Sequence, residues 1–478
     1  MIALYIILAL IVVFLAVVLI RTAMFKPKAE VEIFKNEETF DTDKSIENLR
    51  TLVRFKTVSY RDSEKESNEE FEGLINALPA LYPKVFEVCE FRKLADRALL
   101  FRWSGKEKGK PTVLMAHYDV VPVNEEMWQK PPFEAILEDG VIWGRGTLDT
   151  KVTMNGVLSA AEHLISQGFT PENDIYFAFS GGEEINGKGA ANIVDFFEEN
   201  NIELGLVVDE GGAVVENVFP GVKVPCGLIG VAEKGMVDVK YTTKSAGGHA
   251  SAPKPHTPVG VLSKACTKIE NNPFKCHITK PVKEMFDTLG RHSTFLYRMI
   301  FANLWVFSPV LALLGKIQGG EMNALLRTTV AFTQMKGSDA ANVIPPDAFM
   351  VSNIRLNPTD TIDSALAHLK KTIKDDSIEL SVISGMNPSR ISQSNCEAYD
   401  KVAKAVASTW KGCLVSPYLM VQCSDSRHYG RISDKVYRFS AMDLTSEERA
   451  TIHGNNERIR VECANKAVEF YIRLIKQC

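Results

Sequence analysis

The sequence lacks the patterns that mark several common protein classes. Its nine cysteines include no Cys-x-x-Cys pair, and an odd, unpatterned number argues against a disulfide framework and against a cysteine-based zinc site. The net charge is -4 and no block of basic residues occurs, so we expect no nucleic-acid partner. Internal repeats and low-complexity tracts are absent as well. These absences indicate a globular protein with reduced thiols.

Length and composition bound the architecture. The chain has 478 residues, 45% of them apolar and 24% charged, which is typical of globular proteins. This length exceeds one ordinary hydrophobic core. The sequence therefore predicts two domains, or one domain with a large insertion.

The first residues form one long apolar run. Residues 2–20 carry no charge, and about 20 such residues span a bilayer. A cleaved signal peptide is the rival interpretation, but no Lys or Arg precedes the run and no clear A-x-A site follows it. We therefore predict a single-pass membrane anchor over residues 1–24 and a tether over residues 25–43. Arg21, Lys26 and Lys28 follow the run, so the positive-inside rule favours a cytoplasmic position for the rest of the chain.

Apolar strands that end in polar residues alternate with helices in the next part of the chain. Such strands end before His117, before Glu183 and before Asp209. This order predicts an α/β fold with a mixed, mostly parallel sheet covered on both faces. Open sheets of this kind place their sites at the carboxyl ends of the strands.

The pattern changes near Gly235. Residues 236–243 alternate as a half-exposed strand, and a helix, a strand, a helix and a strand follow up to about residue 384. We predict an inserted α+β, ferredoxin-like domain over residues 236–386, between the two parts of the larger α/β domain at 44–235 and 387–478. Within it, residues 286–314 are rich in apolar side chains. They indicate either a membrane-facing or substrate-facing surface, or buried helices packed on the insert.

The polar residues at strand ends and in loops are two histidines and several carboxylates. Such a set suits a hydrolytic zinc site or a harder divalent ion, and its members are His117, Asp149, Glu183, Glu184, Asp209 and His453. They suffice for two metals, which lie about 3.5–4 Å apart in hydrolases and share a bridging carboxylate. Asp149 is the natural bridge. Adjacent Glu183 and Glu184 diverge, so one can bind metal while the other transfers protons.

Asp119 follows His117 by two residues. On an extended segment, positions i and i+2 point to the same side. Asp119 is therefore predicted to orient the His117 imidazole through a hydrogen bond.

These residues lie in motifs that resemble a known family from about Thr51 to the C-terminus. The family comprises the co-catalytic two-zinc hydrolases, which include aminoacylases, carboxypeptidase S and the enzymes that make and cleave N-fatty-acyl amino acids. The motifs are HYDVVPV at 117–123, WGRGTLDTK at 143–151, GEE at 182–184, DEGG at 209–212, GGHAS at 247–251, NVIP at 342–345 and HGNNE at 453–457. The DEGG motif, the long insert and Asp425-Ser426-Arg427 most resemble the carboxypeptidase S and N-fatty-acyl-amino-acid branch.

The resemblance implies a role for each metal-site residue. His117, Asp149 and Asp209 would hold one zinc ion, with Glu210 as the alternative to Asp209. Asp149, Glu184 and His453 would hold the second ion; cobalt or manganese would also suit these ligands. Glu183 would be the general base that deprotonates the water between the ions. The family also implies a cis peptide bond between Asp149 and Thr150.

The resemblance makes the insert a lid that supports dimerisation. In this family the His of the GGHAS motif, His249 here, stabilises the oxyanion, often across a dimer. Asn342 and Arg427 are candidates for binding the substrate carboxylate, and Arg355 is a further one. The segment Ser180-Gly181-Gly182 before Glu183 departs from close relatives, which often carry His or Asp there, and this affects the predicted substrate preference rather than metal binding.

Three functions follow as hypotheses. The first is a membrane-anchored metallohydrolase that releases an amino acid from a peptide or an N-acyl amino acid. The second is an N-fatty-acyl-amino-acid hydrolase or synthase, favoured by the anchor and the apolar insert. The third is a catalytically inactive binding protein on the same fold, against which the complete ligand set and Glu183 argue.

Overall fold

The structure is a computed structural model that describes residues 1–28, 31–217 and 219–478. Residues 29 and 30 of the predicted tether lie outside the described residues. The helices are α1 (Ile2–Met24), α2 (Thr42–Arg54), α3 (Asn68–Leu81), α4 (Pro83–Val88), α5 (Lys151–Ser166), α6 (Gly189–Glu199), α7 (Pro258–Asn271), α8 (Lys280–Gly290), α9 (Phe295–Ala302), α10 (Leu304–Gln318), α11 (Gly320–Leu326), α12 (Ile362–Ile373), α13 (Glu397–Thr409), α14 (Ser446–Arg449) and α15 (Val461–Ile475).

The strands follow the same chain order. They are β1 (Glu90–Leu94), β2 (Ala98–Trp103), β3 (Thr112–His117), β4 (Ile136–Glu138), β5 (Val141–Trp143), β6 (Ile175–Ser180), β7 (Leu206–Val215), β8 (Cys226–Glu233), β9 (Gly235–Lys244), β10 (Gly248–His249), β11 (Thr329–Lys336), β12 (Val343–Ile344), β13 (Asp347–Leu356), β14 (Ile378–Met386), β15 (Leu414–Met420), β16 (Val436–Leu444) and β17 (Arg458–Arg460).

A mixed, mostly parallel sheet of eight strands forms the larger core, which confirms the predicted fold class. Its order is β1-β2-β6-β3-β7-β16-β8-β15, and the central strands β6, β3, β7 and β16 run parallel. All six residues of β3 and all six of β6 are buried, because helices cover both faces of the sheet. Helices α5 and α15 pack together on one face, and α6 covers the other.

A second sheet has its own hydrophobic core. Its four strands are antiparallel in the order β11-β13-β9-β14, and α7 and α12 pack on one face. The chain order β9-α7-β11-β13-α12-β14 with this strand order is the ferredoxin-like arrangement. The two strands β10 and β12 extend from it as a small separate sheet.

One of the two predictions for the apolar segment was a set of buried helices packed on the insert. Helices α8 to α11 do not pack in that way. Instead α8 packs against β15 of the large sheet, and its apolar side chains join the core of that sheet. An amphipathic pattern identifies the buried face of a helix but not the element that covers it. Helices α9 and α10 meet at Asn303 with a bend of 110°.

The N-terminal helix α1 is long and apolar enough to cross a membrane. Its 23 residues include an 18-residue window of mean hydropathy 3.4, and only 6% of that window is buried by other parts of the chain. A signal sequence has the same length and composition. The helix therefore agrees with the predicted apolar segment.

Candidate active site

Three neighbouring strands deliver polar side chains to one edge of the large sheet. His117 is the last residue of β3 and lies beside Ser180, the last residue of parallel β6. Glu183 and Glu184 follow in a short turn of 3-10 helix, and Glu210 lies on β7 on the other side of β3. Since these strands are parallel, their carboxyl ends bring the side chains together.

Asp149 lies between two histidines that come from distant parts of the chain. Asp149 Oδ1 is 2.9 Å from His117 Nε2, and Asp149 Oδ2 is 3.0 Å from His453 Nε2. His453 Nε2 is also 3.1 Å from Glu184 Oε2. The loop with His453 reaches the loop with Asp149 because β17 pairs with β5. The structure thus brings together four of the predicted metal ligands.

The fifth predicted ligand, Asp209, and its alternative, Glu210, are adjacent on β7. Asp209 turns its carboxylate away and accepts a hydrogen bond from the Ser426 backbone N–H at 2.8 Å. Glu210 Oε1 instead lies 3.5 Å from His117 Nε2. Successive residues of a strand point to opposite sides, so only one of the two can face the site. The geometry favours Glu210, the alternative, over Asp209 as the carboxylate beside His117.

Two sets of ligand atoms lie close enough to hold a cation. His117, Asp149 and Glu184 form one set, and His117, Glu183 and Glu210 form the other, with all ligand atoms of each set within 4.8 Å of one another. The sets share His117 and contain only nitrogen and oxygen donors. Such donors suit zinc, cobalt or manganese, so the residues present fit the metals that the sequence implies.

The electrostatics of the cluster also favour a bound cation. Burial raises the pKa of Glu210, and the nearby Asp149 charge raises it further. Burial likewise raises the pKa of Glu184 despite its hydrogen bond with His453. Burial alone would raise the pKa of Asp149, but the hydrogen bonds from His117 and His453 lower it. Buried carboxylates this close together need a compensating positive charge.

Asp119 connects the end of β3 to the Glu183–Glu184 turn. Its two carboxylate oxygens accept hydrogen bonds from the Glu183 and Glu184 backbone N–H groups, at 3.1 and 3.2 Å. The His117 Nδ1 atom lies 2.9 Å from the Asp119 backbone oxygen and 3.4 Å from its carboxylate. Asp119 is completely buried. It therefore fixes both the imidazole and the turn.

Glu183 lies at the mouth of the cluster next to a guanidinium group. Its Oε1 atom is 4.0 Å from Arg427 Nη1. Burial raises the pKa of Glu183 well above its ordinary value; His117 opposes this shift, and Asp425 adds to it. A carboxyl group with a raised pKa can accept and return a proton near neutral pH.

Arg427 lies in the short 3-10 helix that follows Cys423, and Arg355 reaches Cys423 from the smaller sheet. Arg427 Nη1 donates a hydrogen bond to the Ser424 backbone oxygen at 2.7 Å. Arg355, on β13, donates to Cys423 Sγ at 3.6 Å. Arg427 and Arg355, two of the three candidates for binding the substrate carboxylate, therefore lie where the smaller sheet meets the loop at Cys423.

His249, on the exposed strand β10, and Asn342, directly before β12, are close to each other. His249 Nδ1 is 2.7 Å from Ser251 Oγ, and the Ala250 N–H donates to the Asn342 backbone oxygen at 2.9 Å. Within the described part of the chain, no hydrogen bond or ion pair joins either side chain to the metal-ligand cluster. Their predicted roles need a movement of the insert or a partner subunit.

Sequence reasoning missed three buried polar groups that support the site. Glu457 binds Arg145 and the backbone of the loop that ends at Asp149. Glu233 pairs with Arg438 at 2.6 Å and accepts hydrogen bonds from Ser424 and Ser426. Asp425 accepts a hydrogen bond from Ser180. Glu457 lies in the quoted HGNNE motif, which was the available signal for its importance.

One backbone feature agrees with the sequence prediction. The peptide bond between Asp149 and Thr150 is cis. It lies between the loop that carries Asp149 and the first turn of α5.

Two proteins from other organisms are similar in sequence to this chain over nearly its full length. It is 35% identical to "N-fatty-acyl-amino acid synthase/hydrolase PM20D1" of Xenopus tropicalis, over 97% of this chain and 93% of that protein. It is 33% identical to "Probable carboxypeptidase S-like 2" of Dictyostelium discoideum, over 96% of this chain and 90% of that protein.

The fold matches solved structures. An M20 family metallo-carboxypeptidase, Sso-CP2 from Sulfolobus solfataricus, superposes with a TM-score of 0.66 at 18% identity, over 90% of this chain and 98% of that one. The profile of peptidase family M20/M25/M40 matches residues 113–477. This range contains all the metal-ligand candidates. The chain therefore belongs to peptidase family M20/M25/M40 and is a metal-dependent hydrolase of amide bonds.

Proposed function

We propose that the chain holds two divalent metal ions, zinc by preference, and releases a free amino acid from a peptide or an N-acyl amino acid. The observation that carries this proposal is Asp149, whose two carboxylate oxygens face one histidine each, at 2.9 and 3.0 Å. One ion would be held by His117, Asp149 and Glu210. The other would be held by Asp149, Glu184 and His453.

Bound divalent ions lower the pKa of water and polarise the substrate carbonyl. Glu183 takes the proton from the attacking water, whose oxygen bonds to the acyl carbon. The carbon–nitrogen bond then breaks, and Glu183 passes the proton to the leaving amine. Asp119 keeps Glu183 in place through the Glu183 N–H. Burial of Glu183 suits both proton transfers because it favours the neutral acid.

Arg427 binds the substrate carboxylate in this proposal. Its side chain is only 10% exposed and lies beside Glu183, so a bound carboxylate would sit next to the reacting bond. Arg guanidinium groups bind carboxylates through two parallel hydrogen bonds. Arg355 is the alternative, since it reaches the same loop. Asn342 and His249 would complete the site from the insert, acting as a lid within a homodimer.

An N-fatty-acyl amino acid is the second candidate substrate, and a cavity favours it. The cavity has a volume of about 470 Å³ and lies between the large sheet and helices α8 to α11. Ligand pockets typically measure about 300–1,000 Å³. Its walls are mainly apolar and include Phe219, Val222, Leu228, Met285, Leu289 and Met322. An acyl chain is the kind of group that such walls accommodate.

Helix α1 is proposed to remain attached as a membrane anchor. It contacts the rest of the chain, since Arg21 Nη2 donates a hydrogen bond to the Ala302 backbone oxygen at 3.2 Å. The basic residues that follow it favour a cytoplasmic position for the enzyme. A cleaved signal sequence would lose this contact.

The test combines metal content with hydrolysis by the full chain in detergent. Metal is counted by mass spectrometry, and dipeptides, N-acetyl amino acids and N-oleoyl amino acids are offered with and without chelator. We expect two metals per chain and cleavage that chelator abolishes and zinc restores. The preferred substrate class decides between the two candidates. A folded protein without metal and without cleavage would overturn the proposal in favour of a binding protein.

A further inference from the structure

Helices α9 and α10 hold the N-terminal helix through a buried amide. Asn303, at the bend between them, is fully buried, and its Nδ2 atom donates to the Val18 backbone oxygen and to Thr22 Oγ1, both at 3.2 Å. The same atom donates to the Met299 backbone oxygen at 2.9 Å, so α1 supplies two further acceptors. Arg21 adds its hydrogen bond to the Ala302 backbone oxygen. Helix α1 thus buries this polar corner and hydrogen-bonds to it.

The contacts run down α1 towards its middle. Ala302 contacts Arg21, Asn303 contacts Val18 and Thr22, and the Trp305 ring lies 5.8 Å from the Phe14 ring, edge to face. Phe14 precedes Ile20, the last residue of the apolar run, by six residues. At about 1.5 Å per residue, this places Trp305 about 9 Å inside the end of that run. One leaflet of the hydrocarbon core is about 15 Å thick, so Trp305 lies at the depth of the near leaflet.

The outer face of α9 and α10 is strongly apolar. Large side chains are exposed along both helices: Phe295 at 55%, Leu296 at 61%, Trp305 at 57%, Leu313 at 57% and Ile317 at 71%. Residues 295–318 contain no Asp or Glu, and their two basic residues are Arg298 and Lys316. Contiguous apolar surfaces of this kind mark interaction sites.

The bend prevents this segment from crossing a bilayer as one helix. Its two parts differ in direction by 110°, and the buried Asn303 sits at the corner. A bent apolar segment beside a spanning helix is suited to insertion into one leaflet. In such a segment, aromatic side chains and the amino group of a lysine lie at the level of the lipid headgroups. Lys316 lies in the last turn of α10, where it can reach that level.

We propose that the α9–α10 face inserts into the near leaflet of a lipid bilayer beside α1, so that the enzyme lies on the membrane rather than on a free tether. This proposal rests on the proposed anchoring by α1. The partner of the α9–α10 face is lipid, because this face is continuous with the lipid-facing surface of α1 and lies at the depth of one leaflet. The cavity described above borders the same helices through Tyr297 and Gln318.

Tryptophan quenching tests the proposal on the full chain in phosphatidylcholine vesicles whose acyl chains carry bromine. Helix α1 contains no tryptophan, so quenching reports the rest of the chain. We expect quenching of the wild type, and the Trp305→Phe variant should lose most of it. In that variant background, Ile317→Trp should restore quenching. Ile383→Trp, at an exposed position of β14, is the matched control and should not.

Flotation of the same vesicles in alkaline carbonate separates the two possible failures. Protein that does not float overturns the anchoring by α1 together with this proposal. If the protein instead floats and shows no quenching, either of Trp305 in the wild type or of the indole introduced by Ile317→Trp, this result would support the anchoring by α1 and overturn the insertion of the α9–α10 face. If each nanodisc contains two copies of the chain and Trp305 is not quenched, the α9–α10 face binds a second copy. That result would also overturn the proposed insertion.

Discussion

The carboxylate of Glu457 joins Arg145 to the loop that carries the central metal-ligand candidate. Arg145 Nη1 donates to Glu457 at 2.6 Å, and both residues are buried. The same carboxylate accepts hydrogen bonds from the backbone N–H groups of Gly146, Leu148 and Asp149, at 3.1, 2.7 and 3.2 Å. Because Glu457 lies four residues after His453, it sets the distance between two ligands that are far apart in sequence.

Glu457→Gln should destabilise the protein and weaken metal binding. The change leaves the Arg145 charge buried without its partner, which typically costs about 3–5 kcal/mol. Urea unfolding and metal content, measured on the same samples in detergent, check both effects. Glu462→Gln is the control, since it removes an exposed pair with Lys466 worth about 0–1 kcal/mol. Unchanged metal content in Glu457→Gln would contradict a positioning role.

Glu183→Gln should keep both metals and lose turnover. General acid–base catalysis contributes typically about 100-fold to 10,000-fold, so kcat should fall by that amount. The neutral amide has nearly the same size and shape as the carboxyl group but cannot take a proton. Metal content and kcat are measured together. Glu126→Gln, at an exposed position, serves as the control and should retain wild-type turnover. Normal kcat in Glu183→Gln would remove this residue from the proposed mechanism.

The sequence predicted the strand ends, the order of the motifs and most of the metal-ligand candidates. The sequence favoured Asp209 over Glu210, but the two residues are adjacent and only the register of β7 shows that Glu210 faces His117. It also gave no partner for helix α8, since an apolar stripe can pack on either sheet. The hydrogen bonds of Glu233 and Glu457, which support the loops of the site, were not predicted because their partners are more than 190 residues away in the sequence.

Lys234 should make stability depend on pH. Burial lowers its pKa from an ordinary 10.5 to about 7, and its Nζ atom donates to the backbone oxygens of Ala324 and Arg327. Between pH 7 and 10.5 the unfolded chain binds more protons at this position, so the free energy of unfolding contributed by Lys234 rises with pH, by at most about 1.4 kcal/mol per unit.

Urea unfolding at pH 7 and pH 9 measures this slope. Lys234→Met should reduce the increase between the two pH values relative to the wild type. Lys244→Met changes an exposed lysine and should leave the increase as it is. An equal increase in the wild type and in Lys234→Met would show that Lys234 does not titrate in this range.

Met322→Trp should discriminate between acyl groups. Met322 lines the cavity beside the large sheet, and the larger ring reduces the space for a chain. We expect kcat/KM for N-oleoyl amino acids to fall about 10-fold or more, while N-acetyl amino acids keep their value. Met335→Trp, exposed on β11, is the control. Equal losses for both substrates would place the acyl chain elsewhere.

His249 should act on the site of a partner subunit. Its imidazole is exposed and its Nδ1 atom lies 2.7 Å from Ser251 Oγ of the same chain, so we expect it to reach the substrate of a second copy of the chain. Glu183→Gln and His249→Ala should each have little activity alone. In an equal mixture of the two, half of the dimers are mixed, and each mixed dimer contains one complete site, so about a quarter of wild-type turnover should return. Hydrolysis is measured after the subunits exchange, with separately incubated variants as the control. Failure to recover activity despite demonstrated exchange would place the action of His249 within its own subunit, and full activity of His249→Ala alone would remove it from the mechanism.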